Sequence, residues 1–294
     1  MKAKVNGTEL FFDVVGSQLI PVGGQMVERP VCFVLHGGPL IDLGYLRPWM
    51  DDLADAMQLV YVDYRGTGRS ERMAPEHYTL ENTIDDLEAL RVHLGLEKIA
   101  VLGHSHGGIL AMPFTLKYPR SVSHLILVAT TPYTGPELEA ESEANQAAVA
   151  AANPELASLM SQLNQRKLQE PKTDEEHRAR FHRTFRLYFH KHDPQIIHDV
   201  AERTIFSTEK LRYWIEHESH QYDVRPRLHE IDAPTLILAA RHDWRTTIKH
   251  AQIMNQGISG SELVIFEASG HQLYIEEQEK FLSTVRGFIQ RNPI

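Results

Sequence analysis

The chain has 294 residues, 42% of them apolar and 23% charged, which is the composition of a soluble globular protein and not of a disordered or membrane-spanning one. Its formal net charge is −9, with 30 Lys and Arg against 39 Asp and Glu, so it carries no basic footprint for nucleic acid. No apolar run reaches the roughly 18 residues of a membrane span, the N-terminus shows no secretory pattern, and the single Cys32 excludes an intrachain disulfide.

These features lead us to expect a cytoplasmic protein without membrane or nucleic-acid partners. Cys32 lies in the apolar stretch VCFVLHG and reads as a small buried hydrophobe. In chain order, ELFFDVVG (9–16) reads as a strand and SQLIPVGGQMVERP (17–30) as a loop punctuated by Gly and Pro. PVCFVLHGG (30–38) is a buried strand ending in a glycine turn, LRPWMDDLADAM (46–57) is helical, and QLVYVDYRGTG (58–68) is a strand and turn. TLENTIDDLEALRVHLGL (79–96) places Leu80, Ile84, Leu87, Leu90 and Leu94 three or four apart, an amphipathic helix with Thr79 as its cap. KIAVLGH (98–104) is a strand, GGILAMPFTLKYP (107–119) a helix and VSHLILVAT (122–130) another strand.

The pattern changes near residue 131. Residues 137–222 hold no strand signal and read as four or five helices, punctuated by Pro132, Pro136, Pro154, Pro171 and Pro194. The acidic stretch GPELEAESEAN (135–145) reads as a solvated helix face. Strand signals return in IDAPTLILAARHD (231–243) and SELVIFEASGH (261–271), and YIEEQEKFLSTVRGFIQ (274–290) closes the chain as a helix. Apolar strands alternating with helices predict a mostly parallel sheet of about eight strands covered on both faces. The expected organisation is an α/β core over 1–130 and 233–294, interrupted by a helical cap over 131–232.

Ligands of such sheets bind beyond the carboxyl ends of the strands. Three polar clusters sit there: HGGP, DYRGTGRS and GHSHGG. In the third, Gly103, Ser105 and Gly107 form Gly-x-Ser-x-Gly between a strand and a helix, the setting in which a strained turn projects a serine hydroxyl above the sheet. A serine hydroxyl needs a base, and His271, after the last strand, is best placed of the 17 histidines. Asp243, past the preceding strand, is the expected carboxylate that orients it. The order Ser, Asp, His is the one that accompanies this serine turn. Two backbone N–H groups, of Gly38 in the first glycine loop and of His106 after the serine, are the candidate oxyanion hole. His104 reads as structural. The cap histidines His177, His182, His190, His192 and His198 do not repeat at i, i+4 on one face and no HExxH accompanies them, so no metal and no cofactor is expected.

HGGP (36–39), DYRGTGRS (63–70), GLEKI (95–99), GHSHGGILA (103–111), DAPTLILAARHD (232–243) and SGHQLYIEEQEKF (269–281) together resemble the α/β-hydrolases, and within them the proline iminopeptidase family. The resemblance covers the core, about two thirds of the chain; the cap matches no motif of that family. It implies a cofactor-free serine hydrolase. Relatives that attack alkyl carbon, such as haloalkane dehalogenases and epoxide hydrolases, carry aspartate at the turn, so the serine implies acyl chemistry. Two residues depart from the family: Leu40 replaces a glycine after HGGP, and His106 replaces an aromatic after the serine. Family members hold a substrate ammonium with acidic cap residues, for which Glu216 and Glu218 are the candidates, with Glu137 and Glu139 behind them. Leu40 and Trp214 complete the candidate substrate-binding set, and Tyr188, Phe189 and Tyr213 read as an apolar cap interface. Arg65 and Arg69 read as anchors of their loop. The partner implied is a small-molecule or short-peptide substrate, cleaved by an aminopeptidase. A carboxylesterase or lactonase acting on small esters is the alternative, and a non-catalytic binder on the same scaffold is the third reading.

Overall fold

The computed structural model describes residues 1–165, 171–191 and 193–293. Strands β1 (Lys2–Val5), β2 (Thr8–Val15), β5 (Val31–Leu35), β6 (Gln58–Val62), β7 (Ile99–His104), β8 (Val122–Val128), β9 (Thr235–Ala240) and β10 (Glu262–Phe266) form one sheet in the order β1-β2-β6-β5-β7-β8-β9-β10. β2 runs antiparallel to β1 and β6, and every other neighbouring pair is parallel. β5, β7 and β9 are buried at every position, as continuous apolar runs in a twice-covered sheet must be. Alternate side chains serve opposite faces. Phe33 and Val101 join a core under α1 (Leu80–His93), α2 (His106–Lys117) and α8 (Ile248–Gly257). Val34 and Leu102 join a second core under α10 (Gln278–Arg291).

Three expectations are corrected. The Gly/Pro loop at 17–30 is a two-stranded hairpin, β3 (Leu19–Val22) against β4 (Gln25–Glu28), turned by Gly23 and Gly24 with φ of +56° and +84°. Two adjacent positive φ values make the tight turn whose twist matches the flanking strands. The helix expected over 46–57 is instead two 3₁₀ turns, Leu43–Leu46 and Asp51–Asp55, because Pro48 supplies no N–H and its ring disrupts a continuous helix. The closing helix breaks at Glu277 into α9 (Leu273–Glu276) and α10. Thr79 caps α1 as its sequence suggests, its Oγ1 accepting from Asn82 N–H at 3.0 Å.

Between β8 and β9 the chain forms α3 (Pro136–Ala152), α4 (Pro154–Gln165), α5 (Asp174–Thr184), α6 (Pro194–Arg203) and α7 (Thr208–Tyr213), which continues into a π-helical turn, Trp214–Glu218. Proline opens α3, α4 and α6, where its missing N–H has no helical partner in any case. The two ends of this segment are joined: Thr134 N–H donates to Tyr222 O and Val224 N–H to Pro132 O, both at 2.9 Å. Among the described residues no helix is long and apolar enough to cross a membrane.

Candidate active site

Ser105 stands between β7 and α2 with φ +54° and ψ −116°, a backbone conformation that L residues rarely adopt. The flanking glycines are dictated by contact. A Cβ at Gly103 would lie 2.4 Å from Gly107 O, and one at Gly107 would lie 2.1 Å from Leu35 O. Both are impossible against backbone, so the turn is compressed onto its neighbours. Ser105 N–H donates to Val128 O at 2.9 Å, and Thr130 Oγ1 donates to Ser105 O at 2.7 Å, fixing the turn from β8. α2 begins at His106, whose N–H is therefore free of intrahelical bonding. Neither this N–H nor that of Gly38 finds an acceptor among the described residues.

His271 and Asp243 meet as expected: His271 Nδ1–H donates to Asp243 Oδ2 at 2.7 Å, and both side chains are buried. Asp243 Oδ1 accepts from Arg245 N–H at 2.8 Å and Thr246 N–H at 3.0 Å, and Oδ2 accepts from Thr246 Oγ1 at 2.6 Å. Burial pulls this carboxyl toward a higher pKa, but the adjacent His271 and the hydrogen bonds from His271 and Thr246 outweigh it and hold the pKa below the usual carboxylate value. Asp243 does not cap α8, which begins after Thr247.

His104 connects the serine turn to the His271 loop. Gly37 N–H donates to Tyr45 Oη at 2.6 Å, which leaves the Tyr45 hydroxyl to donate to His104 Nδ1 at 2.5 Å. His104 Nε2–H then donates to His271 O at 3.0 Å, and the two rings lie 4.9 Å apart. This is one neutral tautomer with both nitrogens used. Burial, with the neighbouring His271 adding to it, lowers the His104 pKa to about 3. Ser105 Oγ itself makes no hydrogen bond among the described residues.

A family model described as the alpha/beta hydrolase fold matches residues 30–278. The chain belongs to the α/β-hydrolase fold family. It is 31% identical over 273 residues to a proline iminopeptidase of Saccharolobus solfataricus, an alignment that covers 87% of this chain and 84% of the relative. Among solved structures it superposes on an esterase from Exiguobacterium antarcticum with TM-score 0.72 at 22% identity, covering 97% of each chain. An enol-lactonase from Burkholderia xenovorans gives TM-score 0.70 at 22% identity, covering 99% of this chain and 100% of the other. At those identities the structural likenesses establish the fold alone.

In this α/β-hydrolase the remaining candidates are unequally placed. His106 is buried and meets Trp214 edge-on at 4.5 Å, so the residue after the serine touches the π-helical turn. Leu40 is half-buried, and its carbonyl accepts from Ser207 N–H at 2.7 Å, tying the HGGP loop to the helical segment. Glu216 is 56% exposed, with His217 at 3.8 Å as its neighbour. Glu218 Oε1 accepts from Leu80 N–H at 3.2 Å, at the start of α1. Glu137 pairs with Arg225 at 2.9 Å, and Glu139 is exposed. Arg65 and Arg69 anchor their loop: Arg65 forks onto Asp86, and Arg69 meets Asp42 at 3.0 Å. Tyr188 lies 5.5 Å from the His271 ring, centre to centre.

Spacing along single helices predicts no metal-ligand set, and the tertiary structure brings three potential ligand side chains together in one place. His182 of α5 meets His198 and Glu202 of α6, with one possible ligand atom from each lying within 4.8 Å of the others. The His198–Glu202 pair is spaced i, i+4; a search confined to histidines does not find it. His192 lies outside the described residues. Two residues bonded to the site were not singled out from the sequence, Tyr45 and Thr246. Only Thr246, three residues after Asp243, has a sequence signal, the short polar turn that follows a strand-end aspartate.

Proposed function

We propose that this hydrolase cleaves acyl bonds through Ser105, His271 and Asp243, beneath a helical cap formed by residues 131–232. The supporting observation is the buried 2.7 Å Asp243–His271 pair, whose loop is held against the serine turn by His104. His271 Nε2 takes the proton from Ser105 Oγ as that oxygen attacks the acyl carbon, then gives it to the leaving group. Water, deprotonated by the same nitrogen, releases the acyl-enzyme. Gly38 and His106 N–H groups receive the oxyanion, each donor being worth about 2.7–4 kcal/mol of barrier. Ser105→Ala is expected to lower kcat by several orders of magnitude on every acyl substrate while the protein stays folded. Turnover equal to the unmodified protein would end the proposal.

The substrate reading follows the relatives first: an aminopeptidase of the proline iminopeptidase type acting on small peptides. One observation favours the esterase or lactonase alternative. Neither Glu216, exposed at the surface, nor Glu218, bonded to Leu80 N–H, offers a free buried carboxylate to a substrate ammonium. Prolyl and other aminoacyl nitroanilides, short acyl esters and lactones assayed side by side decide between the two. Ester or lactone turnover without aminoacyl cleavage removes the peptidase reading.

A further inference from the structure

Lys210, the third residue of α7, is 4% exposed. Its Nζ donates to Tyr78 O at 3.2 Å and to Thr83 Oγ1 at 3.1 Å. An ammonium has three N–H donors, and among the described residues the third has no acceptor. No carboxylate pairs with it: Asp86 is committed to Arg65, and Glu218 to Leu80 N–H. Its Nζ also lies 5.3 Å over the Tyr78 ring, a contact that offsets part of the burial cost, and a buried cation with an N–H unbonded and no directly paired carboxylate can take an anion's oxygen. The space beside Lys210 is a narrow pocket walled by Pro39, Tyr64, Tyr78, His106 and Trp214. Pro39 follows Gly38, so this pocket adjoins both N–H groups assigned to the oxyanion.

We propose that the Lys210 pocket receives a carboxylate of the substrate, and that the preferred substrates are short esters or amides bearing an acid group. The proposal rests on the serine hydrolase reading and narrows it. On an ester the group is a free acid at the end of a short chain. On a dipeptide it is the C-terminal carboxylate. An ammonium is repelled from this pocket. Lys210 is buried, so a Lys210–carboxylate hydrogen bond acts in a medium of lower dielectric constant than water.

The charged and titratable groups around Lys210 come from five elements: Arg65 after β6, Asp86 on α1, Glu218 at the π-helical turn, His106 on α2 and His36 after β5. Burial, reinforced by Arg65, lowers the Lys210 pKa to about 7, against the opposite pull of Asp86 and Glu218. Both histidines have pKa values near 3 and are neutral at that pH. Lys210 is therefore the group around the pocket whose charge changes near neutrality. It is a cation below its pKa, so affinity for an acid-bearing ligand falls as pH rises through about 7.

Calorimetry on the Ser105→Ala protein tests this without turnover, using monomethyl succinate against dimethyl succinate. The half-ester is expected to bind roughly tenfold tighter or better, the size of one charge-assisted hydrogen bond. That preference is lost with Lys210→Met added. It falls as pH rises through about 7 in the Ser105→Ala protein but not when Lys210→Arg is added. The pH series alone decides if the Met variant does not fold. Equal affinities, no binding of the half-ester at millimolar concentration, or a preference that survives Lys210→Met overturns the proposal and leaves Lys210 a structural tie. Ester turnover without the preference removes this inference and spares the serine hydrolase; the preference without any turnover does the reverse.

Discussion

At the scale of single residues, the site separates groups that react from groups that hold them. Asp243 spends all of its acceptor capacity on His271, Arg245 and Thr246, and it stays ionised despite burial because those donors favour the charged form. Asp243→Asn preserves size and shape but turns an acceptor into a donor opposite His271 Nδ1, which favours the wrong imidazole tautomer. Kcat is expected to fall by about 10⁴-fold while the protein stays folded, in steady-state assays on any acyl substrate that the unmodified protein turns over. Tyr45 and His104 stand one step further back. They touch no reacting atom in the proposed scheme, yet the His104 Nε2 bond is one of those that hold the His271 loop, beside Gly270 N–H to Glu276 and Ser269 Oγ to Glu277.

At the scale of elements, a buried ion pair joins the turn after β6 to α1. Arg65, in the turn after β6, forks onto Asp86 of α1 and also reaches His77 O and Asn6 O, and both charged side chains are almost fully enclosed. Removing only the cation strands Asp86 in the interior. Arg65→Ala is expected to cost about 3–5 kcal/mol, read as a lower urea midpoint, and Asp86→Asn in that background should recover part of it. Elements such as β5, β7 and β9 were legible in the sequence because complete burial demands unbroken apolar runs. The β3–β4 hairpin was not, since its residues are mostly exposed and carry no alternating apolar pattern. The stretch 46–57 has helical composition, but Pro48 lies within it. Ser105, Asp243 and His271 could be picked out as candidates because Ser105 follows β7 at once and the other two lie in the loops that leave β9 and β10. Lys210 could not. Nothing in TEKLRY distinguishes a buried lysine from a solvated one, and its partners Tyr78 and Thr83 are 132 and 127 residues away.

At the scale of the whole molecule, the helical segment between β8 and β9 is attached to the sheet on the side that carries the site. Ser207 N–H bonds to Leu40 O, Ile205 N–H to Asp42 Oδ1 at 3.2 Å, and Arg72 reaches Phe206 O at 2.6 Å and Asp174 at 3.3 Å. Arg72→Ala removes the two of these ties that Arg72 makes. Hydrogen exchange at residues 204–208 is then expected to quicken while the amides of β5 and β7 keep their protection, which would place the opening in the segment and not in the core. The positive φ of Ser105 has a consequence of another kind. Glycine adopts that geometry freely, so Ser105→Gly should denature at a higher temperature than the unmodified chain while losing the hydroxyl that the proposed chemistry needs. Under the proposed chemistry the sequence that folds best on this scaffold is an inert one, and the serine turn trades backbone comfort for a reactive hydroxyl.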